Sequence, residues 1–198
     1  MLQGAITLVV QLDRAADMEH LLDVLKPFGV RLIVSGAREA HLVAERLAAE
    51  HVGVLLDPLQ NLPVSFDTLA ARLDQPALLA EAGVRFAFTI AVSHNARNLR
   101  QSAGNAVAHG LSWIVALRAI TIHGAALAGV DHVLGSLEPG KLAHVVLWDG
   151  DSLEVTSSAQ QVFIAGEPIA MASRQTLLAR RYAAFYSDRH RTQPAYLP

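Results

Sequence analysis

The 198-residue chain contains no cysteine. This absence excludes disulfide bonds, thiolate zinc sites and cysteine nucleophiles. Charged residues make up only 17% of the sequence, and 16 basic against 18 acidic side chains give a formal net charge of −2. Such a balance provides no basic surface for nucleic acid or for an anionic membrane, and we expect neither as a partner.

Long hydrophobic runs are also absent, since none reaches the roughly 18 residues that a membrane-spanning helix requires. The apolar segment 1–12 lacks the basic start of a signal peptide and leads into an acidic helix, so it predicts a buried strand. A cytoplasmic location is therefore the default expectation. The hydrophobic content of 52% excludes intrinsic disorder. It also indicates that part of the surface is apolar, as in proteins that bind a partner.

Four apolar, β-rich runs alternate with helical patterns along the first two thirds of the chain. The runs predict strands at 6–12, 31–35, 52–56 and 84–90, and the second is followed by a predicted helix over 37–50. This alternation is typical of a parallel sheet with right-handed crossovers, whose functional sites lie at the carboxyl ends of the strands. The pattern alone leaves open a small doubly wound sheet and one half of an eight-fold barrel.

After residue 129 the pattern changes to short, irregular segments with antiparallel strand signals. We therefore divide the chain into a βα region over 1–129, a small β-domain segment over 130–172, and a carboxyl-terminal helix and tail over 173–198.

Several motifs from residue 93 onwards point to a family. The run Gly135–Lys141 (GSLEPGK), followed by Val145–Asp151 (VVLWDGD), closely resembles the closing segment of the amidohydrolase superfamily. Ala116–Thr121 is similar to the helix that precedes this segment, and Ser93–Leu99 to the loop after the last barrel strand in imidazolonepropionase-like members. The resemblance extends over essentially the whole chain and implies a metal-dependent hydrolase that acts on non-peptide carbon–nitrogen bonds.

The resemblance also implies a fold. It predicts an α/β chain that forms half of a TIM-type (β/α)8 barrel, about four βα units, then a small segment of the composite β-sandwich and a carboxyl-terminal helix. Within the closing segment, Lys141 is expected to be solvated or near a helix end. His144 stands where the family has aspartate, so we expect a turn contact to be lost.

Active members of the family hold one or two divalent metals, such as zinc, at the ends of their strands. A His-x-His pair, histidines or a modified lysine on strands five and six, and an aspartate on strand eight supply the ligands. This chain has no His-x-His, and Gln11, Ser35 and Ile90 stand at the three later positions. We therefore expect no metal cofactor for this chain alone, and predict a hydrolase that is incomplete or catalytically degenerate; the alternative is a non-catalytic barrel fragment acting as a binding or assembly module.

The loop after the fourth strand carries the polar residues His94, Asn95 and Arg97. These are our candidates for binding a small-molecule substrate, with His94 and Arg97 holding an anionic or carbonyl-bearing group; a purely structural role in the loop is the alternative. Asp57, after the third strand, is expected to cap its own loop. Phosphate-binding loops and the Gly-x-Ser-x-Gly elbow are absent.

Half a barrel would leave two strand edges and one sheet face uncovered. Unpaired edges and large apolar patches are typical of interfaces. We take Leu8, Val10, Ile33 and Leu55 as candidates for the uncovered inner face. The expected partner is a second copy of the chain or a complementary amino-terminal half-barrel.

Overall fold

A four-stranded parallel sheet with its helices is followed along the chain by a three-stranded antiparallel sheet. The computed structural model describes residues 7–90 and 93–189. The strands are β1 Thr7–Leu12, β2 Arg31–Gly36, β3 Gly53–Leu56, β4 Phe86–Phe88, β5 Val145–Trp148, β6 Ala159–Ile164 and β7 Glu167–Ile169. The helices are α1 Ala15–Leu25, α2 Ala44–Ala49, α3 Gln75–Glu81, α4 Leu99–Ala108, α5 Trp113–Ala119, α6 Ile122–Ala128 and α7 Arg174–Arg189. None of these described helices has the length and apolarity to cross a membrane.

The parallel sheet keeps its strands in chain order, β1-β2-β3-β4. This order lacks the reversal that defines a doubly wound sheet. The register places Gln11 opposite Ser35 and Ser35 opposite Leu55, with Ala87 opposite Leu55 on the other side. Side chains at these paired positions share one face of the sheet, because successive residues of a strand point to opposite faces.

The two faces of the sheet have different cores. The larger core contains the buried strand residues on the helix side together with partly buried Val10. The second face holds a small cluster in which Ile33, Leu55 and Ala87 contact Leu127 of α6. Our prediction for Leu8 and Val10 is therefore wrong, because Val10 packs in the helix-side core and Leu8, two residues earlier, shares its face. Only Ile33 and Leu55 of the four candidates lie on the second face.

The predicted helix over 37–50 is shorter than expected. A 3₁₀ turn occupies Ala40–Val43, and the α-helix begins only at Ala44. Ala37 adopts a left-handed backbone with φ of 52°, and its carbonyl accepts a 2.5 Å hydrogen bond from Gln75 Nε2. This tertiary bond fixes a conformation that a helix could not contain.

The two edges of the parallel sheet differ in how they are covered. At β1, no described strand pairs with the outer side, and Leu8 and Val9 remain exposed. At β4, α6 packs against the strand, and His123 Nδ1 lies 3.1 Å from the Phe86 carbonyl oxygen. That carbonyl faces away from β3, because the neighbouring Arg85 carbonyl bonds to β3.

The glycine-rich segment before β5 is packed against α6. Gly135 has φ of 100°, and a Cβ there would lie 2.8 Å from Ala125 Cβ. The expectation that Lys141 is solvated is wrong: its side chain is only 12% exposed, and Nζ lies 2.5 Å from Ser136 Oγ and 3.3 Å from Glu138 Oε2. Through these two contacts, the partly buried lysine holds the end of the segment 135–141 against its beginning.

His144 makes a turn contact of its own. Its Nδ1 accepts a 3.1 Å hydrogen bond from the Ala165 backbone N–H. The neutral imidazole offers one acceptor nitrogen, which serves here as a carboxylate oxygen would.

Candidate functional site

A cavity of about 330 Å³ lies at the carboxyl ends of the four parallel strands. We call it the strand-end cavity. β1 and β2 contribute residues near their ends, and the residues directly after β3 and β4 complete it, as the carboxyl ends of parallel strands meet at one edge of the sheet. Its lining residues are Gln11, Asp13, Ser35, Gly36, Arg38, Asp57, Gln60, Thr89 and Ile90.

The three positions that the resemblance assigns to metal ligands meet in this cavity. Gln11 and Ser35 lie opposite each other in the β1–β2 register. Ile90 follows Thr89, whose N–H donates a 2.9 Å hydrogen bond to the Leu56 carbonyl. The structure thus brings Gln11, Ser35 and Ile90 together, although they are far apart in the chain.

The chemistry of these side chains does not fit the family's metal centre. A carboxamide, a hydroxyl and an alkyl chain replace imidazole and carboxylate, the ligands that zinc prefers. Across residues 7–90 and 93–189, no three histidine, aspartate or glutamate side chains are grouped as a metal site requires. The cavity therefore lacks the donor set for zinc within the part of the chain that the structure describes.

Arg38 supplies the positive charge of the strand-end cavity. Its Nε lies 3.9 Å from Asp13 Oδ1, and its Nη2 donates a 3.4 Å hydrogen bond to Gln60 Oε1. Asp13 Oδ1 is buried and receives no hydrogen bond from the described residues. It fits there because Gly36, with φ of 85°, leaves room: a Cβ at this position would lie 2.7 Å from that oxygen.

Asp57 contributes a second carboxylate. Its Oδ1 accepts a 3.1 Å hydrogen bond from the Leu59 N–H, which confirms the predicted capping of its own loop. Together with Asp13 and Arg38, it gives the cavity lining two negative charges and one positive charge.

The segment 57–74, which we call the rim loop, lies along the border of the cavity. Gln60 bonds to Arg38 in the lining. Asp67 lies 3.8 Å from Arg14, the neighbour of Asp13 in sequence. The Ala70 N–H donates a 3.0 Å hydrogen bond to Oε1 of Glu39, the neighbour of Arg38. These three ties hold the rim loop beside the residues that line the cavity.

A network of buried polar side chains holds the rim loop in place. Asn61 Nδ2 donates to Gln75 Oε1 at 2.5 Å and to the Arg72 carbonyl at 2.8 Å, and Gln75 in turn donates to Ala37. Buried amides that are fully paired rigidify the chain around them. The rim loop also carries several large apolar side chains that are exposed, namely Leu59, Leu62, Val64, Phe66 and Leu69.

The predicted binding residues His94, Asn95 and Arg97 lie in a 3₁₀ helix over Ser93–Asn98. None of the three belongs to the described lining of the strand-end cavity. Arg97 instead borders a second groove, where Arg100 stacks 4.7 Å from the centre of the Trp148 ring. The structure therefore does not bring this group together with Gln11 and Ser35.

Sequence reasoning missed Arg38, Gln60 and Thr89 as cavity residues. Arg38 could have been found as the first charged residue after the second strand, just as Asp13 is after the first. Gln60 could not, because its position depends on how the rim loop folds back.

A family model described as "Amidohydrolase family" matches residues 6–172 of the chain. Among curated proteins, the amidohydrolase tasK of Hapsidospora irregularis is 33% identical over 103 residues, which cover 48% of this chain and 10% of that protein. The adenine deaminase of Desulforamulus reducens is 35% identical over 95 residues, covering 47% of this chain and 16% of the enzyme. The chain thus spans a small part of the length of these relatives.

Solved structures show the same fold. The crystal structure of an amidohydrolase from Thermotoga maritima superposes with a TM-score of 0.78 at 24% identity, covering 84% of this chain and 44% of that one. E. coli guanine deaminase superposes with a TM-score of 0.59 at 16% identity, covering 85% and 48%. With a family match that includes most of its residues, the chain belongs to the amidohydrolase family.

Proposed function

We propose that the chain forms four of the eight βα units of an amidohydrolase-type barrel, and that the complete barrel hydrolyses non-peptide carbon–nitrogen bonds. The strand order β1-β2-β3-β4 without reversal supports the barrel. The chain also covers less than half of the Thermotoga structure. One curated relative is an adenine deaminase by name, and a deaminase breaks a carbon–nitrogen bond.

The observation that carries the proposal is the strand-end cavity. It lies where barrel enzymes place their reacting groups, at the carboxyl ends of the strands. This chain's own contribution there is recognition: Gln11, Ser35 and Thr89 offer neutral hydrogen-bonding groups, and Arg38 and Asp57 offer charge. Ligands for the family's metal would have to come from elsewhere in the barrel, so the chain alone is catalytically incomplete.

A complementary amino-terminal half-barrel would supply the other four units and the metal ligands. Another copy of the chain would pair with the sheet edge but would repeat Gln11, Ser35 and Ile90, so it would bring no metal ligands. The bare edge of β1, with Leu8 and Val9 exposed, supports this need for a partner.

The experiment compares the purified chain alone with the chain co-expressed with the amino-terminal half of the Thermotoga amidohydrolase. Alone, we expect self-association at micromolar concentration in sedimentation, less than stoichiometric zinc by elemental analysis, and no hydrolysis of an amide and aminopurine panel. Together, we expect co-purification and hydrolysis. A stable monomer that binds stoichiometric zinc and hydrolyses the panel would contradict the proposal.

A second candidate function is a non-catalytic binding or assembly module. The replacement of ligand residues by Gln11, Ser35 and Ile90 favours it, since these side chains cannot restore a metal centre. A co-purified barrel that binds metal through its other half but hydrolyses nothing would support this alternative. The proposed contact of His94 and Arg97 with an anionic group is checked separately, by loss of affinity in His94→Ala for a ligand that binds the parent chain.

A further inference from the structure

The charge of the strand-end cavity selects among ligands. Two carboxylates, Asp13 and Asp57, face one guanidinium, Arg38, and the other lining groups are neutral. An anion entering the cavity would meet a net negative charge, whereas a cation would be attracted. The amide of Gln11 and the hydroxyls of Ser35 and Thr89 can accept hydrogen bonds from such a cation.

The carboxylates are not equally available. Asp13 is turned towards Arg38, with Oδ1 buried beside Gly36. Asp57 uses Oδ1 to accept from the Leu59 N–H, and no described residue donates a hydrogen bond to its Oδ2. Arg38 is engaged by Asp13 and Gln60. Asp57 Oδ2 is therefore the group best placed to receive a donor from a ligand.

The border of the cavity adds an apolar surface. In the sequence of the rim loop, Leu59 directly precedes Gln60, which lines the cavity, and Leu62 follows it by two positions; both leucines are exposed. Phe66, further along this loop, is 89% exposed. Because the buried amides of Asn61 and Gln75 fix the loop, this surface does not depend on a ligand to form.

We propose that the strand-end cavity binds, without a metal ion, a small ligand that carries a primary ammonium or amidinium group on a short apolar chain. The cationic head bonds to Asp57 and the neutral groups of the lining, and the chain lies against Leu59 and Leu62. The inference rests on the proposed function only for the location of the site; it needs neither hydrolysis nor a complete barrel.

The first test is calorimetry on the purified chain with four probes: hexylammonium, hexanoate, ethylammonium and zinc chloride. We expect hexylammonium to bind about tenfold tighter than hexanoate, because the lining is net negative. It should also bind about tenfold tighter than ethylammonium, as its extra methylene groups are partly buried on the rim loop. Stoichiometric zinc binding, or hexanoate binding as tightly as hexylammonium, would overturn the inference.

The second test uses variants with matched controls. Asp57→Asn keeps an oxygen to accept from Leu59 but removes the charge, and should weaken hexylammonium binding about fivefold. Glu167→Gln, at an exposed carboxylate on β7, should leave it unchanged. Leu62→Ser should weaken hexylammonium but not ethylammonium, whereas Val24→Ser, at an exposed position of α1, should weaken neither.

The outcomes separate this inference from the proposed function. Hexylammonium binding that Asp57→Asn leaves intact overturns the inference, and hydrolysis by the co-purified barrel is unaffected by that result. Conversely, a co-purified barrel without hydrolysis contradicts the proposed function while selective hexylammonium binding by the chain still stands.

Discussion

The first and last strands of the parallel sheet end its two edges in opposite ways. β4 is covered by α6, which places His123 on the Phe86 carbonyl and Leu127 on the inner face. β1 has no such cover among the described residues, and Val9 is 55% exposed. An uncovered, apolar edge is available for further strand pairing, whereas a covered edge is not until its cover moves. Among the described residues, the β1 edge is therefore the more accessible of the two.

The cover of β4 depends on a tight contact outside the sheet, and breaking it should have the largest effect. Gly135→Ala would place a Cβ against Ala125 and force an unfavourable positive φ. We expect a loss of about 3 kcal/mol in the free energy of unfolding. Urea denaturation measures it, with Gly140→Ala as the control: Gly140 also has a positive φ, but a Cβ there would meet no atom within 4 Å. Equal losses in both variants would show that backbone strain alone, and not the packing on α6, is responsible.

A paired substitution compares the uncovered edge strand β1 with its covered neighbour β2. Val9 and Ile33 lie opposite each other on the same face, but Ile33 is 6% exposed and Val9 is 55% exposed. In dilute solution, Ile33→Ala should lower the free energy of unfolding by about 2–3 kcal/mol, and Val9→Ala by less than about 0.5 kcal/mol. Thermal or urea unfolding checks both. A comparable loss at Val9 would mean that β1 is already covered in the isolated chain.

The pH dependence of stability should report on the covered edge. Burial is the main cause that lowers the pKa of His123. The hydrogen bond to the Phe86 carbonyl raises this pKa, and the positive charges of Arg118 and Arg85 lower it further. The unfolded chain, with an ordinary histidine pKa near 6.5, then takes up a proton at a higher pH than the folded chain does. Stability should therefore fall as the pH drops below about 6.5, down to the pKa in the folded chain.

His123→Gln keeps a hydrogen-bond donor for Phe86 without titrating, so the fall in unfolding temperature between pH 7 and pH 5 should become shallower. Part of the fall should persist, because burial, reinforced by Arg72, also lowers the pKa of His41. An unchanged pH profile in His123→Gln would rule out this histidine as a source.

A smaller loss than at Gly135 or Ile33 is expected in the antiparallel sheet, away from both edges. His144→Ala removes the acceptor of the Ala165 N–H at an exposed turn, and should cost about 0.5–1 kcal/mol. His144→Asn offers a carbonyl acceptor and should recover part of that loss. If both variants unfold like the parent in urea, the hydrogen bond adds nothing to stability.

The sequence was sufficient where a strong local pattern decides the structure. Buried runs such as the one around Ile33 and the one around Val54 predicted strands that the structure contains. Local patterns failed to predict the backbone conformation where a residue distant in sequence determines it. The left-handed backbone of Ala37 is fixed by Gln75, 38 positions further along, and no local signal reveals that.

The same limit applies to the strand-end cavity. The family resemblance assigns Gln11 and Ser35 to it, and the carboxyl ends of parallel strands meet at one edge of a sheet. The faces of β1 could not be assigned, since an unbroken apolar run lacks the alternation that would distinguish Leu8 from Val9. The position of Arg38 after the second strand was readable, but its contacts were not, because they depend on the space that Gly36 leaves for Asp13 and on how Gln60 folds back.

Glu39 joins two segments that are distant in the chain. One carboxylate oxygen accepts from the N–H of Ala15, at the start of α1, and the other from the N–H of Ala70 in the rim loop. If either segment opens, Glu39 loses one of its two hydrogen bonds. The carboxylate is then held less firmly in the position from which it accepts the other. The amide protons of Ala15 and Ala70 should therefore exchange with deuterium at linked rates, so that local opening on one side of the cavity is communicated to the other.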